Sequence, residues 1–191
     1  MTSFKIQDNF LTEQEYEELT TLHIEYSKVH WIGLYALEDT RKNKPLNQLH
    51  KLVKRIEPEL NQDVLGATAW YNIRPPRPKP HNDIDSYCTF KGKKYYPDIL
   101  PKRTYLYYVK VPDEGGNLRL ETGEEMELKV NRLVSFPIDM VHQIMPYRGN
   151  RVSIGIIFWP QLPSFYGRVT NTEVQIFDRV WEIEDANIHT K

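Results

Sequence analysis

With 191 residues and a net charge of −1, from 25 basic and 26 acidic side chains, the chain has length for one well-cored domain and no overall electrostatic pull toward nucleic acid or membrane. At 40% hydrophobic and 12% aromatic residues its composition is that of a globular protein, and its longest apolar run, residues 152–160, is too short to cross a bilayer. The first ten residues hold no apolar core of signal-peptide length and Cys88 is the only cysteine, so no internal disulfide can form and a reducing, cytoplasmic location is expected.

Thr12 reads as the N-cap of a first helix, with Glu15 returning the bond in a capping box and Leu11 stapled onto Tyr16. Tyr16, Leu19, His23 and Tyr26 follow at helical spacing. From Pro45, the residues Leu46, Leu49, Val53 and Ile56 recur every three or four positions and predict a second amphipathic helix that stops near Pro58. His23, His30 and His50 have no ligand-type neighbour at useful spacing and read as surface or boundary residues.

After residue 64 the period changes to two. Leu65, Ala67, Ala69, Tyr71 and Ile73 share one face of a strand, with Gly66, Thr68, Trp70 and Asn72 on the other. Four prolines between 75 and 80 then form a stiff extended link that delivers the chain to His81. Residues 84–102 mix tyrosines, lysines and prolines without periodicity and read as a long ordered loop, either a lid or a solvated segment. From Arg103 onward short apolar runs alternate with Gly, Asp and Asn turns to Trp159, the pattern of an all-β sandwich or barrel. The tail from Thr172 fits strand or helix equally. The expected organisation is a single domain over 1–191: a helical part at 1–62, a β core at 64–159 and an extension at 160–191.

The chemistry concentrates in His81-Asn82-Asp83 and the distant His142. In an extended strand, residues two apart share a face, so His81 and Asp83 would present an imidazole and a carboxylate side by side. His142 sits alone among apolar residues and would be the third ligand. Two histidines and one carboxylate on one face of an ion leave the opposite face open, which suits non-haem Fe(II) and dioxygen. Nine residues past His142, Arg151 is followed two positions on by Ser153, a guanidinium fork and a hydroxyl on one strand face, a pocket for a carboxylate beside the metal. Taken singly, His81 and Asp83 read as a surface ion pair and His142 as a buried, hydrogen-bonded histidine. The ordered set with Arg151 favours the metal.

Residues 64–159 resemble the Fe(II)/2-oxoglutarate-dependent oxygenases, in particular their prolyl-4-hydroxylase-like branch, through "AWYNI", "HND", "YLYYVKVPDEGGNLRL", "RLVSFPIDMVH" and "NRVSIGIIFW" in that order. The resemblance implies a mainly β fold, a double-stranded β-helix or jelly roll, with the N-terminal helices buttressing one sheet. It implies Fe(II) on His81, Asp83 and His142, 2-oxoglutarate held by Arg151 with Ser153 and Tyr71, dioxygen as oxidant and ascorbate as a reductant. Tyr108 matches a further cosubstrate tyrosine by its distance from Gly115-Gly116, and Tyr105 and Tyr107 in the same run leave that register open. The implied reaction hydroxylates a protein or peptide residue, proline favoured, and converts 2-oxoglutarate to succinate and carbon dioxide. Asp83 points to hydroxylation, because halogenating relatives lack this carboxylate. The alternatives are a free amino acid or small metabolite as substrate, an alkylated nucleic acid, or a non-catalytic jelly-roll binding or assembly protein. Dealkylases of nucleic acid carry a second arginine six residues after the first, where this chain has Ile157. Cupins pair their histidines as H-x-H, a pattern His81-Asn82-Asp83 does not follow.

Overall fold

The structure, a computed structural model, describes residues 3–26, 32–36, 48–60, 64–72, 79–90 and 92–161. His30, the proline link up to residue 78 and the tail from Thr172 lie outside these residues, and for His23 and His50 only the helical backbone lies within them.

The Thr12 and Glu15 pair forms the capping box that its spacing predicts. The Thr12 N–H donates to Glu15 Oε2 (2.9 Å), and the Glu15 N–H donates to Thr12 Oγ1 (3.3 Å). This starts α1 (Glu13–Tyr26), and α2 (Gln48–Ile56) runs into a 3₁₀ turn, Glu57–Glu59, that contains Pro58. Leu19, Leu52, Val53 and Ile56 bury their apolar faces on a six-stranded antiparallel sheet. The Tyr16 hydroxyl fixes the packing by donating to the Val109 carbonyl (2.8 Å).

In chain order the strands are β1 (Lys5–Asp8), β2 (Ile32–Ala36), β3 (Gly66–Asn72), β4 (Thr89–Phe90), β5 (Lys93–Lys94), β6 (Arg103–Lys110), β7 (Glu114–Gly115), β8 (Leu118–Leu120), β9 (Glu125–Met126), β10 (Arg132–Pro137), β11 (His142–Ile144), β12 (Tyr147–Arg148) and β13 (Val152–Trp159). The large sheet runs β1-β10-β6-β13-β3-β2. Its two edges, β1 and β2, come from the stretch 1–62 expected to be helical. They are four and five residues long, and every β1 residue is exposed, so β1 lacks the alternation that marks a half-buried strand.

Period two divides the large sheet cleanly. Tyr107, Val109, Ile154 and Ile156 face the helices; Leu106, Tyr108, Val134 and Phe136 face a second layer, where they meet Leu118 and Leu120. That second layer contains β11-β8-β9 and β12-β7. The pairs His142–Leu120, Ile144–Leu118 and Tyr147–Gly115 keep one register, bridged by the Gly116 N–H to Pro146 carbonyl bond (3.1 Å) and the Met145 N–H to Asn117 carbonyl bond (2.9 Å). The ladder is therefore continuous from residue 114 to 120 against 142 to 148. Gly115 and Gly116 have φ of 69° and 81°, and a Cβ on Gly115 would run into the Pro146 carbonyl, so only glycine serves there. The two layers make a mainly β double-stranded β-helix buttressed by helices.

Three expectations change in detail. Residues 84–102 are not irregular throughout: α3 (Asp83–Tyr87) is followed by the β4–β5 hairpin, and the expected loop remains at 95–102. Asn82 Oδ1 caps α3 through the Asp85 N–H (2.8 Å), and the Asp85 carboxylate receives Lys94 Nζ (2.7 Å) and the Tyr96 hydroxyl, which pins the hairpin to the helix. Both donors hold the Asp85 carboxyl below the usual carboxylate range. Beneath them Ile84 and Cys88 pack with Trp70, Ile138 and Trp159, and burial, helped by the Asp85 charge, pushes the Cys88 thiol up to about 12, making it an inert core residue. The run "MELKV" at 126–130 predicts a strand, which shrinks to Glu125–Met126, and the turn signals "PDEGG" at 112–116 and "YRGN" at 147–150 predict connections that each contribute a two-residue strand instead.

Gly155 lies opposite Trp70, and a Cβ at 155 would enter the indole ring. Gly155→Ala is expected to destabilise the fold by about 1–3 kcal/mol through overpacking, read from the urea unfolding midpoint; an unchanged midpoint would show that the Trp70 indole moves freely.

Candidate metal centre and carboxylate pocket

His81 does not sit in a long strand. It forms a single antiparallel bridge with His142, the two backbones exchanging both hydrogen bonds (3.1 and 2.8 Å). Residues paired in this way project their side chains to one face, and the imidazole centroids lie 4.5 Å apart. Asp83 reaches the same place as the first residue of α3, so a helical turn rather than strand alternation brings the carboxylate round. His81 Nε2 and His142 Nε2 stand 3.8 and 3.9 Å from Asp83 Oδ1, and one ligand atom from each residue lies within 4.8 Å of the others.

The protonation pattern suits ligation. His81 Nδ1 lies 3.2 Å from the Lys79 carbonyl and His142 Nδ1 lies 3.1 Å from the Met140 carbonyl. A carbonyl only accepts, so each Nδ1 carries the proton and each Nε2 presents its lone pair to the centre. Burial holds the His142 imidazole below its ordinary value against the opposite pull of the Asp83 charge, which keeps it neutral. The side chains of Asp83 and His142 are 6% exposed and that of His81 is 46% exposed, so the centre opens to solvent on the His81 side. A 2-His-1-carboxylate set with an open side fits Fe(II).

Two neighbours of the triad escaped the sequence reading. Thr104, in β6, donates its hydroxyl to Asp83 Oδ2 at 2.7 Å in a fully buried bond, leaving Oδ1 to face both histidines. The Phe136 ring meets the His142 ring edge-on, at a centroid distance of 4.8 Å. Thr104→Val removes the hydroxyl at nearly constant volume and is expected to weaken Fe(II) binding about 10- to 100-fold in an anaerobic metal titration, with Thr104→Ser restoring it. Wild-type affinity in the valine variant would strip Thr104 of any part in the centre.

Further along the interior, Arg151 is buried just ahead of β13, where the β13–β6 register shifts between Val152 and Ser153. Arg151 Nη1 donates to Ser153 Oγ (3.1 Å), and its guanidinium lies 5.2 Å from the centroid of the Tyr108 ring. Among the described residues, Arg151 Nε, Arg151 Nη2 and the Tyr108 hydroxyl are buried and have no hydrogen-bond partner. Burial pushes the Tyr108 phenol up and the guanidinium pulls it part of the way back, so the hydroxyl keeps its proton to donate. A buried donor left unpaired costs about 1–3 kcal/mol, more when charged, so this cluster is built for an anion. Tyr107 instead donates to Asn131 Oδ1 (2.9 Å), and Tyr105 packs edge-on against Phe158, both on the helix side of the sheet.

Tyr71 lies in β3 in register with Ile154, and its side chain is outside the described part. Its neighbour Asn72 pairs with Ser153, which pairs with Tyr108, so these three form one row across the interior face. Asn72 was legible as a member of the Thr68–Trp70 face, although nothing in the sequence marked it as polar lining.

No family model and no curated protein matches this chain. Among solved structures it is similar to the viral collagen prolyl hydroxylase of Paramecium Bursaria Chlorella virus-1 in its 2OG complex, with a TM-score of 0.57 at 14% identity over 82% of this chain and 95% of that one. A prolyl-4-hydroxylase from Pseudomonas putida gives a TM-score of 0.56 at 16% identity, with 83% and 93% covered. A Trichoplax adhaerens prolyl hydroxylase, in complex with a hypoxia inducible factor oxygen degradation domain peptide fragment, gives 0.50 at 16% identity, with 90% and 88% covered. At these identities the likeness establishes the fold of the prolyl hydroxylases, and the triad within it fits the iron site of 2-oxoglutarate oxygenases.

Proposed function

We propose that this protein is an Fe(II)- and 2-oxoglutarate-dependent dioxygenase that hydroxylates a protein or peptide residue, with proline favoured. The observation that carries the proposal is the buried donor set of Arg151 and Tyr108, unpartnered among the described residues, inside the same barrel as the triad. A metal site alone suits many reactions. A metal site with a pre-built anion cradle suits a metal-bound dicarboxylate.

His81, Asp83 and His142 would hold the iron, which when bound supplies dioxygen activation coupled to decarboxylation of 2-oxoglutarate. The rest is done by the chain. Arg151 offers Nε and Nη2 to the distal carboxylate as a charge-assisted pair, and Tyr108 adds a neutral donor. Ser153 receives Arg151 Nη1 and so fixes the fork, while its own hydroxyl proton remains to be given. The resemblance offers Tyr71 as a further cosubstrate contact, but its register partner is Ile154 of the helix-facing row, and Asn72 holds the interior position beside Ser153. Leu106, Val134 and Phe136 keep water out of the interior, which strengthens every polar contact there. The exposed side at His81 is where the residue to be hydroxylated would enter.

Anaerobic titration with Fe(II) and then 2-oxoglutarate tests the proposal. A weak visible charge-transfer band marks chelation of the cosubstrate by the metal. Iron binding without the band would move the protein to a different metal-dependent reaction, and absence of metal binding would make the jelly roll a scaffold.

A further inference from the structure

Between residues 74 and 103 the sequence carries eight basic residues against three acidic ones, although the whole chain is net −1. One of the three acids is Asp83, a member of the triad, and a second is Asp85, which the Lys94 ammonium and the Tyr96 hydroxyl already occupy. That pairing uses up Lys94 as well, and Arg103 bonds Ser3 and Ser135, so the exposed charges that remain among the described residues are Lys79, Lys93 and Lys102 against Asp98.

The fold places this charge at the centre. The chain leaves the triad at Asp83, runs through α3, the β4–β5 hairpin and the segment 95–102, and returns at Thr104, whose hydroxyl bonds the Asp83 carboxylate. The strap so formed is closed at the metal site itself. Its inner side is held by Ile84 and Cys88 in the core, by the Tyr95 N–H to Cys88 carbonyl bond (2.7 Å) and by the Ile138 N–H to Lys102 carbonyl bond (3.2 Å). Its outer side exposes Lys93 and Lys102, and Lys79 adds a third exposed ammonium two residues from the solvent-facing His81. Ile99 and Leu100 are 60% and 43% exposed between them.

We infer that the strap is a docking platform for an acidic polypeptide, one with Asp or Glu flanking the residue to be hydroxylated; this rests on the function proposed above. Lysines interleaved with exposed aliphatic side chains match acidic and apolar side chains on an extended chain, and fixed like charges steer such a partner toward the open face. A polyphosphate backbone fits less well. Among the described residues of the strap the exposed aromatic ring is Tyr96, which is tied by its hydroxyl to Asp85 with the Lys94 ammonium 5.5 Å from its centroid, so it is not presented for base stacking, and the remainder of the chain is acidic.

The test is fluorescence anisotropy on the full chain with short labelled peptides of alternating Glu and Pro, Gln and Pro, or Lys and Pro, beside an oligothymidylate. The Glu peptide is expected to bind at least about tenfold more tightly than the Gln peptide, to weaken as salt rises from about 50 to about 300 mM, and to lose its advantage in Lys93→Glu/Lys102→Glu. Equal binding of the Glu and Gln peptides, or an unchanged preference in the double variant, would overturn the inference, and tighter binding of the oligothymidylate would replace it with a nucleic-acid platform. Substrate-free consumption of 2-oxoglutarate is measured on the same samples. Its absence counts against the proposed reaction and leaves the binding result standing; its equality in wild type and double variant shows that the site is intact where the peptide preference is lost.

Discussion

In Arg151→Ala, half-saturation with 2-oxoglutarate is expected at a concentration raised about 30-fold to 4,000-fold, while Fe(II) binding stays within about twofold of wild type. Truncating one partner of a buried, hydrogen-bonded charge pair costs about 2–5 kcal/mol, and each 1.4 kcal/mol is about a factor of ten. The iron ligands are untouched by the change, since Arg151 bonds Ser153 and lies on Tyr108, not on the triad. Arg151→Lys should recover little, because a single ammonium cannot reproduce the fork that leaves Nε and Nη2 free together. Titrating the charge-transfer band with 2-oxoglutarate reads the effect directly. Equal loss of iron and cosubstrate affinity would mean that Arg151 supports the fold rather than a ligand.

His142→Ala carries the other large effect. Loss of an outer partner of a metal site already costs about 10- to 100-fold, so removal of one of three ligands is expected to reduce cosubstrate turnover by more than about a hundredfold and to abolish the band. The fold should persist. The backbone of residue 142 keeps its bonds to His81 and its place opposite Leu120, and the change removes from the interior the edge contact with Phe136, the ring contact with His81 and the bond to the Met140 carbonyl. Circular dichroism and a urea titration separate the two outcomes: turnover lost with the unfolding midpoint retained assigns the loss to the metal, whereas turnover retained would exclude His142 as a ligand.

The identities of the ligand-type residues were legible, but part of their geometry was not. The H-x-D spacing suggested strand alternation, yet His81 faces the centre because of a bridge to His142 and Asp83 because a helix begins there. The sequence held the clue in Asn82, a good N-cap followed by Asp83 and Asp85, acids in a first turn. Proline and lysine content around it read as loop and hid a helix of five residues. Thr104 was beyond reach: its partner lies 21 residues away, and a threonine at the head of a β-rich run is ordinary. The strands β6 and β13 were legible because they are eight residues long and buried on both faces of one sheet, whereas β1 is short and exposed throughout. Arg151 and Ser153 were legible because i and i+2 alternation survives the register shift between them.

The continuous ladder of 114–120 against 142–148 bears on how the length of this chain can change. Leu120 on one flank and His81 on the other both fix which way residue 142 faces. One residue inserted or deleted inside the ladder would send every side chain beyond that point to the opposite face, and the imidazole with them. The Glu121 N–H still bonds the Val141 carbonyl and the Glu124 carbonyl still accepts from the Leu120 N–H, so the turn's tip at 122–123 is where added length leaves the count unchanged. Natural length variants and engineered tags should accumulate at that turn and be absent between 142 and 148.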